Sequence, residues 1–390
     1  MTMDLSPQAI LPADPQALLF GRVWLPGVQG PALVRVDGAR LTDVTASFAT
    51  ARDLCEAPCP ASALRSAPGA DLGSLADVLA NSDPATRDAS RPWLLSPIDL
   101  QAVKAAGVTF VSSMLERVIE ERARGNPEAA AGIRAQVRDL VGDDLRALRP
   151  GSPEAAALKQ TLIEAGAWSQ YLEVGIGPDA EIFTKAQPMA SVGAGSAIGV
   201  HPASTWNNPE PEVVLIVASD GRIVGAALGN DVNLRDVEGR SALLLGKAKD
   251  NNAAAAVGPF VRLFDREFDL AAVETLSLTL TVTGEDGFVM QGSSEMREIS
   301  RAPADLVAQA LNAHHRYPDG MALFLGTLFA PTEDRDDPGR GFTHKPGDVV
   351  GIGCAQLGTL VNRVAATDRC EPWSFGAGAL MRNLAARGLL

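Results

Sequence analysis

The chain of 390 residues is poor in sulfur, imidazole and rings: four cysteines, four histidines, two tyrosines and 5% aromatic residues overall. Four cysteines (Cys55, Cys59, Cys354, Cys370) cannot staple a chain of this length, which excludes a disulfide scaffold and suggests a reducing, cytoplasmic compartment. The histidines (His201, His314, His315, His344) show no ligand spacing with cysteine, which argues against zinc. Basic residues are outnumbered 34 to 47, for a net charge of −13. A surface of that sign repels a phosphate backbone, so nucleic acid is not an expected partner. No apolar run reaches the ~18 residues of a membrane span, and none follows a basic start as in a signal peptide, so no membrane partner is expected.

What remains is 46% hydrophobic and 21% charged, ordinary for a folded chain. The length fits one large domain and a smaller one, because single cores stop growing near ~250–300 residues. Residues 1–95 are proline-rich, and Leu18–Leu25, Ala32–Val36 and Leu41–Val44, with an Asp37-Gly38 turn, read as a small β meander. Arg91-Pro92-Trp93 and Ser96-Pro97 mark the crossing into a second domain, 96–390. There Ser113 and Glu116 form a capping-box pattern ahead of Met114, Leu115, Val118 and Ile119, with Gly125 as the stop. Further helices are expected over Pro127–Arg146 and Pro153–Ala165. From Glu210 onward strands dominate: Val213–Ala218, Arg222–Leu228, Leu276–Thr283 and Val349–Ile352, with helices near Ser241–Ala248 and Pro303–His314. The class is α+β.

The sharpest local feature is Glu210-Pro211-Glu212 at the head of an apolar strand. A period of two puts both carboxylates on one face. A two-residue hairpin loop at Asp220-Gly221 pairs Ser219 with Arg222 and, by the same register, Glu210 with Asp231, about 5 Å away. Three carboxylates on one patch repel each other unless a cation neutralises them, and an all-oxygen set suits a hard ion such as Mg2+. An acidic surface hairpin without an ion is the plainer alternative, since E-x-E recurs by chance.

Glu210-Pro211-Glu212, then Gly229-Asn230-Asp231 with Arg235-Asp236, then Lys249 ahead of Gly258-Pro259, resembles the fumarylacetoacetate hydrolase superfamily over about residues 105–390. The resemblance implies a mixed β-sandwich roll, preceded here by the smaller N-terminal β-rich domain. It implies Mg2+ or Mn2+ on Glu210, Glu212 and Asp231, with Lys249 close to the metal-bound substrate. Glu181 to Ala186, Leu325 to Pro331, and Gly107 to Phe110 with Ser112 and Ser113 resemble segments of the 2-keto-3-deoxy-pentonate dehydratases of that superfamily. Hydrolases of the superfamily activate water with a His–Glu pair on a helix near the site. Residues 105–135 hold Glu116, Glu120 and Glu121 but no histidine, which favours elimination over hydrolysis.

The resemblance thus implies a magnesium-dependent lyase of pentose catabolism that converts a 2-keto-3-deoxy sugar acid of the D-xylonate or arabinonate type to 2-oxoglutarate semialdehyde. Lys249 is expected to remove a C3 proton or steady the enolate, its pKa lowered by the nearby cation, and Glu181 to protonate the departing C4 hydroxyl. Thr327, Ser112, Lys185 and Arg235 are the expected substrate contacts, against plain alternatives of a turn hydroxyl for Thr327 and a buried structural pair for Arg235. The rival readings are an acylpyruvate hydrolase or oxaloacetate decarboxylase of the same superfamily, and a non-catalytic metal-binding homologue. A homodimer or homotetramer is the expected assembly.

Overall fold

The computed structural model describes residues 2–124, 126, 128–129, 148–164, 168–329, 331 and 333–390, and of residues 111–113 the backbone alone. The expected helix over Pro127–Arg146 and the stop at Gly125 lie outside these residues.

The N-terminal strands are β1 (Leu19–Leu25), β2 (Gly30–Asp37), β3 (Arg40–Asp43), β4 (Ala70–Ser74) and β5 (Trp93–Leu95). They are followed by β6 (Ala102–Gly107), β7 (Glu181–Ala186), β8 (Ala197–Val200), β9 (Asn207–Asn208), β10 (Pro211–Val217), β11 (Ile223–Asp231), β12 (Asn233–Leu234) and β13 (Ala255–Leu263). The last are β14 (Ser277–Thr283), β15 (Val289–Glu295), β16 (Met321–Phe324), β17 (Val349–Cys354) and β18 (Gly358–Ala366). One large mixed sheet runs β4-β3-β2-β1-β13-β11-β10-β16-β6-β7, with β5 also on β1; a second runs β15-β14-β17-β18-β8. The N-terminal strands therefore continue the large sheet through the β1–β13 pairing.

Strand β10 shows why the two sheets stack. Its Val213, Leu215 and Val217 enter a core shared with Leu278, Leu280, Val282, Val350 and Ile352 of the smaller sheet. Val214 and Ile216 point the other way, into a core with Leu54 and Leu64 from the helices Ala51–Glu56 and Pro60–Ser66. Both faces are covered, which is why the strand reads as an unbroken apolar run. Strand β14 lies nearer the edge and alternates, with Leu278, Leu280 and Val282 buried and Ser277 and Thr279 exposed.

The helix after β6 begins at Val111, three residues earlier than the Ser113–Glu116 capping pattern requires. Phe110, buried and bridged to Ile299, is its N-cap. Tertiary pairing of Phe110 thus decides where the chain turns, and Glu116, inside the helix, pairs with Arg235 instead. Met114, Val118, Ile119 and Ala123 pack on Tyr171, Leu172 and Ile176 of the helix Gln170–Ile176 and on Leu162 of Pro153–Glu164. Ala123 is followed by Arg124 in the left-handed region, φ 51°, which ends the helix.

Candidate active site

Glu210, Glu212 and Asp231 meet as expected, all buried, each with a carboxylate oxygen within 4.8 Å of the others. The route to that register differs from expectation. Ala218 N–H donates to Arg222 O at 2.9 Å, so the loop is Ser219-Asp220-Gly221, one residue longer, with Gly221 at φ 92°. Gly at the left-handed end of a three-residue loop is a standard hairpin solution. A bulge then takes up Val224, because Ile216 faces Gly225 while Val217 faces Ile223. The two offsets cancel, Glu212 faces Gly229, and Asp231 N–H reaches Glu210 O at 3.0 Å.

Lys249 ends the helix Leu245–Lys249 and sets its Nζ 2.5 Å from Glu210 Oε2 and 3.2 Å from Asp231 Oδ2. The lowering of its pKa expected beside a bound cation concerns the metal-loaded site; the protein groups alone act the other way. Burial disfavours the ammonium, but Asp231, Glu210 and Glu238 outweigh it and push the group up. Glu212 moves oppositely for an acid: burial, then Asp231 and Glu210, hold its carboxyl well above the usual range. Asp231 is pulled below its ordinary value because Lys185 and Lys249 overcome its burial. The donor set is all oxygen, buried and short of positive charge, which fits a hard divalent ion bound by Glu210, Glu212 and Asp231.

A narrow cavity opens on this triad, walled also by Gly107, Val108, Arg117, Glu181, Phe183, Glu238, Gly326 and Thr327. Gly326, at φ 90°, donates its N–H to Glu212 Oε2 at 2.7 Å; a Cβ there would lie 2.0 Å from Thr109 Oγ1. Thr327 is buried beside it, its hydroxyl accepting from Phe329 N–H at 3.1 Å. Val108, a β-branched residue, is held at φ 57° on the wall, a strained conformation of the kind that clusters at functional sites. Glu181 lies against Gly107, where a Cβ would meet its Oε2 at 2.0 Å. Burial first, then Glu238, pushes the Glu181 carboxyl up to about 7, against the pull of Arg117 and Lys249.

Two expected substrate contacts face elsewhere. Lys185 shares the β7 face of Glu181 and Phe183 but is fully buried, with Nζ 2.9 Å from Asp231 Oδ1 and donating to Val232 O (3.0 Å) and Lys249 O (2.6 Å). Two of its N–H bonds go to backbone carbonyls and its charge is paired with Asp231, so it positions Asp231 and Lys249 rather than reaching the cavity. Arg235 is buried behind Glu120 (2.7 Å), Pro331 O (2.9 Å) and the Trp206 ring (4.2 Å), the structural alternative. Ser112 is the second residue of the Val111–Ala123 helix, and its side chain lies outside the described residues.

Sequence reasoning missed Arg117 and Glu238. Arg117 forms ion pairs with Glu210, with Glu120 at 2.7 Å and with Glu238 at 3.0 Å. The available signal was Glu120, a charge directly after Ile119 on the buried stripe of its helix, which needs a cation nearby.

A family profile described as "Fumarylacetoacetate (FAA) hydrolase C-terminal" matches residues 156–365. The chain is 32% identical over 184 residues to the 2-dehydro-3-deoxy-D-arabinonate dehydratase of Saccharolobus solfataricus, a match covering 47% of this chain and 58% of that one. It is 30% identical over 194 residues to the probable 2-keto-3-deoxyxylonate dehydratase of Haloferax volcanii, covering 50% and 63% respectively. The chain thus spans less than two thirds of these relatives' lengths. Among solved structures, a 2-keto-3-deoxy-D-arabinonate dehydratase complexed with magnesium and 2,5-dioxopentanoate superposes with a TM-score of 0.61, at 21% identity over 89% of this chain and 99% of that one. A fumarylacetoacetate hydrolase from Exiguobacterium antarcticum gives 0.53 at 16% identity, over 90% and 100%. The fold is that of an α+β protein with mixed sheets around a buried acidic triad, the fumarylacetoacetate hydrolase type. The chain belongs to the fumarylacetoacetate hydrolase family.

Proposed function

We propose that the protein dehydrates a 2-keto-3-deoxy-pentonate of the xylonate or arabinonate type to 2-oxoglutarate semialdehyde. The observation that carries this reading is Glu181, a carboxyl held near pKa 7 on the wall of the cavity that opens on the carboxylate triad. Hydroxide is a poor leaving group, so losing a C4 hydroxyl needs an acid still protonated at neutral pH. No histidine lines the cavity among the described residues, which leaves hydrolytic attack without its usual base. A non-catalytic metal-binding protein has no use for Glu181 or Thr327.

Glu210, Glu212 and Asp231 would hold Mg2+, which would supply Lewis acidity toward a bound 2-keto acid and so make its C3 protons more acidic. Lys249 takes the C3 proton once its neighbouring carboxylates are charge-compensated, and Lys185 fixes it from behind through its backbone carbonyl. Glu181 delivers its proton to the C4 oxygen. Thr327 offers a hydroxyl to the substrate from the opposite loop. The matched relatives' printed names support this substrate class. The test is incubation with 2-keto-3-deoxy-D-xylonate and its arabinonate counterpart: a C5 aldehyde without C–C cleavage is expected, and pyruvate as the main product would overturn the assignment in favour of the hydrolase.

A further inference from the structure

Elimination of water is only half of the conversion. Loss of the C3 proton and the C4 hydroxyl leaves 5-hydroxy-2-oxopent-3-enoate, an enone, and the aldehyde forms only if a proton then leaves C5. Five carboxylates wall the cavity: Glu181, Glu210, Glu212, Asp231 and Glu238. Three belong to the metal triad and Glu181 is the acid for the hydroxyl. We propose that the remaining one, Glu238, is the base that takes the C5 proton and returns it at C4, an inference that rests on the dehydratase reading.

Glu238 is placed for such work and is not needed for a structural one. It is buried, and its Oε2 lies 3.0 Å from Arg117 Nη1 in a contact that makes an ion pair but no hydrogen bond. Arg117 already has Glu120 and Glu210 as partners, so Glu238 is in excess of its neutralisation. A buried carboxylate oxygen without a hydrogen bond is unusual unless it has a task. Its aim is fixed by the short helix Arg235–Glu238: Arg235 is locked on Glu120 and Trp206, and Asp236 accepts from Ser204 Oγ and Thr205 N–H at 2.8 Å each. Burial raises its pKa while Arg117 and Lys249 oppose the rise, which suits a group that must both accept and release a proton.

The protons balance. Lys249 takes a proton from C3, and Glu181 protonates the C4 oxygen, which leaves as water. Glu238 then takes a proton from C5: the C–H pair becomes C4=C5, the C3=C4 pair moves to C2=C3, and the keto oxygen takes the charge. Lys249 returns its proton to C3. In the resulting C5 enol, Glu238-H protonates C4 while the enol O–H proton passes to Glu181, restoring the acid. The net change is the loss of one water, with no oxidant or reductant.

The experiment uses the Mg2+-loaded full chain and substrate carrying two deuterons at C5. For the wild type, NMR of the aldehyde should show one of them at C4. In Glu238→Gln, exchange of C3 protons with D2O and loss of the C4 hydroxyl should persist, while aldehyde formation falls ~10²–10⁴-fold and the conjugated enone accumulates in the ultraviolet. Glu238→Asp, which keeps a carboxylate, should restore label transfer at a reduced rate and guards against misfolding in the glutamine variant. An aldehyde made by Glu238→Gln at the wild-type rate, or an equal fall of C3 exchange and aldehyde formation in both variants, overturns the role of Glu238 alone. A wild-type enzyme that makes no aldehyde from either sugar acid overturns the dehydratase reading and this inference with it.

Discussion

Two clusters of charged side chains among the described residues differ in how their carboxyl groups shift: in one the shifted carboxyls are lowered, in the other three are raised although Asp231 is lowered. In one, Arg335 reaches Asp348 at 2.5 and 2.7 Å and Asp286 at 3.2 Å, while Lys345 reaches Asp286 at 3.0 Å and Asp336 at 2.5 Å. Asp286 is pulled far down by hydrogen bonds from Lys345 and Arg335, and Asp348 is lowered because Arg335 and His344 overcome its burial. In the other, Glu181, Glu212 and Glu238 are all raised, first by burial and then by neighbouring carboxylates, Glu210 among them in each case. Five carboxylates share Arg117, Lys249 and Lys185 there, and Glu212 pairs with none of the three. In the first cluster each aspartate has a cation within reach, and the pairs tie the Asp286-Gly287 turn to the loop before β17. The second is left short of positive charge, which costs stability and is useful only where a cation or a proton is to be bound.

The widest break between the clusters comes from removing the metal. Chelation should abolish turnover, with recovery on Mg2+ or Mn2+, because Glu210, Glu212 and Asp231 are the only cluster of three or more His, Cys, Asp or Glu ligands among the described residues. Asp231→Asn should weaken Mg2+ binding by more than the ~10–100-fold typical of an outer-shell partner, measured by titration calorimetry. Full activity in a verified metal-free preparation would contradict the assignment. Next is the acid. Glu181→Gln should lower kcat by ~10²–10⁴. The wild-type rate should fall as pH rises through about 7, where Glu181 loses its proton, and that limb should disappear in the variant. An unchanged pH profile would remove Glu181 from the reaction.

The paired cluster should answer differently. Arg335→Met strands the buried Asp348 carboxylate, and breaking a buried pair costs about 3–5 kcal/mol. Urea denaturation should show that loss, while kcat of the folded fraction stays near wild type. A large fall in kcat would mean that the two clusters are functionally coupled.

Much of this contrast was legible in the sequence, and the boundary of legibility is physical. The apolar run Val213 to Val217 announced a buried strand, and with it the face that carries Glu212. The register to Asp231 emerged correctly from a loop one residue too short, because the bulge at Val224 compensates. Lys185 and Lys249 are both lysines near the acidic strands, and nothing in their spacing tells that the first is sealed under Asp231 while the second meets Glu210 from the cavity. Glu120 on the buried helix stripe hinted at Arg117, but the contact of Arg117 with Glu238 joins a helix before β7 to one after β12, and neither local period nor motif reports such a distance in sequence.

The smallest effects give the sharpest sign test. Glu181 has its folded pKa raised from 4.5 to about 7, so its contribution to stability is full below pH 4.5 and is lost as pH rises through 7. Replacing it with glutamine removes the ionisation penalty, and at pH 8 the variant should be more stable than wild type by ~1–3 kcal/mol after allowance for its partial exposure. At pH 4 the two should melt together. Asp286 is the opposite case: its folded pKa is lowered from 3.8, so its contribution is present above that value and lost as pH falls below it. Asp286→Asn should therefore be less stable than wild type at pH 7 to 8, with the gap narrowing only below about pH 4 and with kcat untouched. One variant should gain stability and lose catalysis while the other loses stability and keeps catalysis. If Glu181→Gln melts below wild type at pH 8, its carboxylate is a structural partner and the cavity is not short of positive charge.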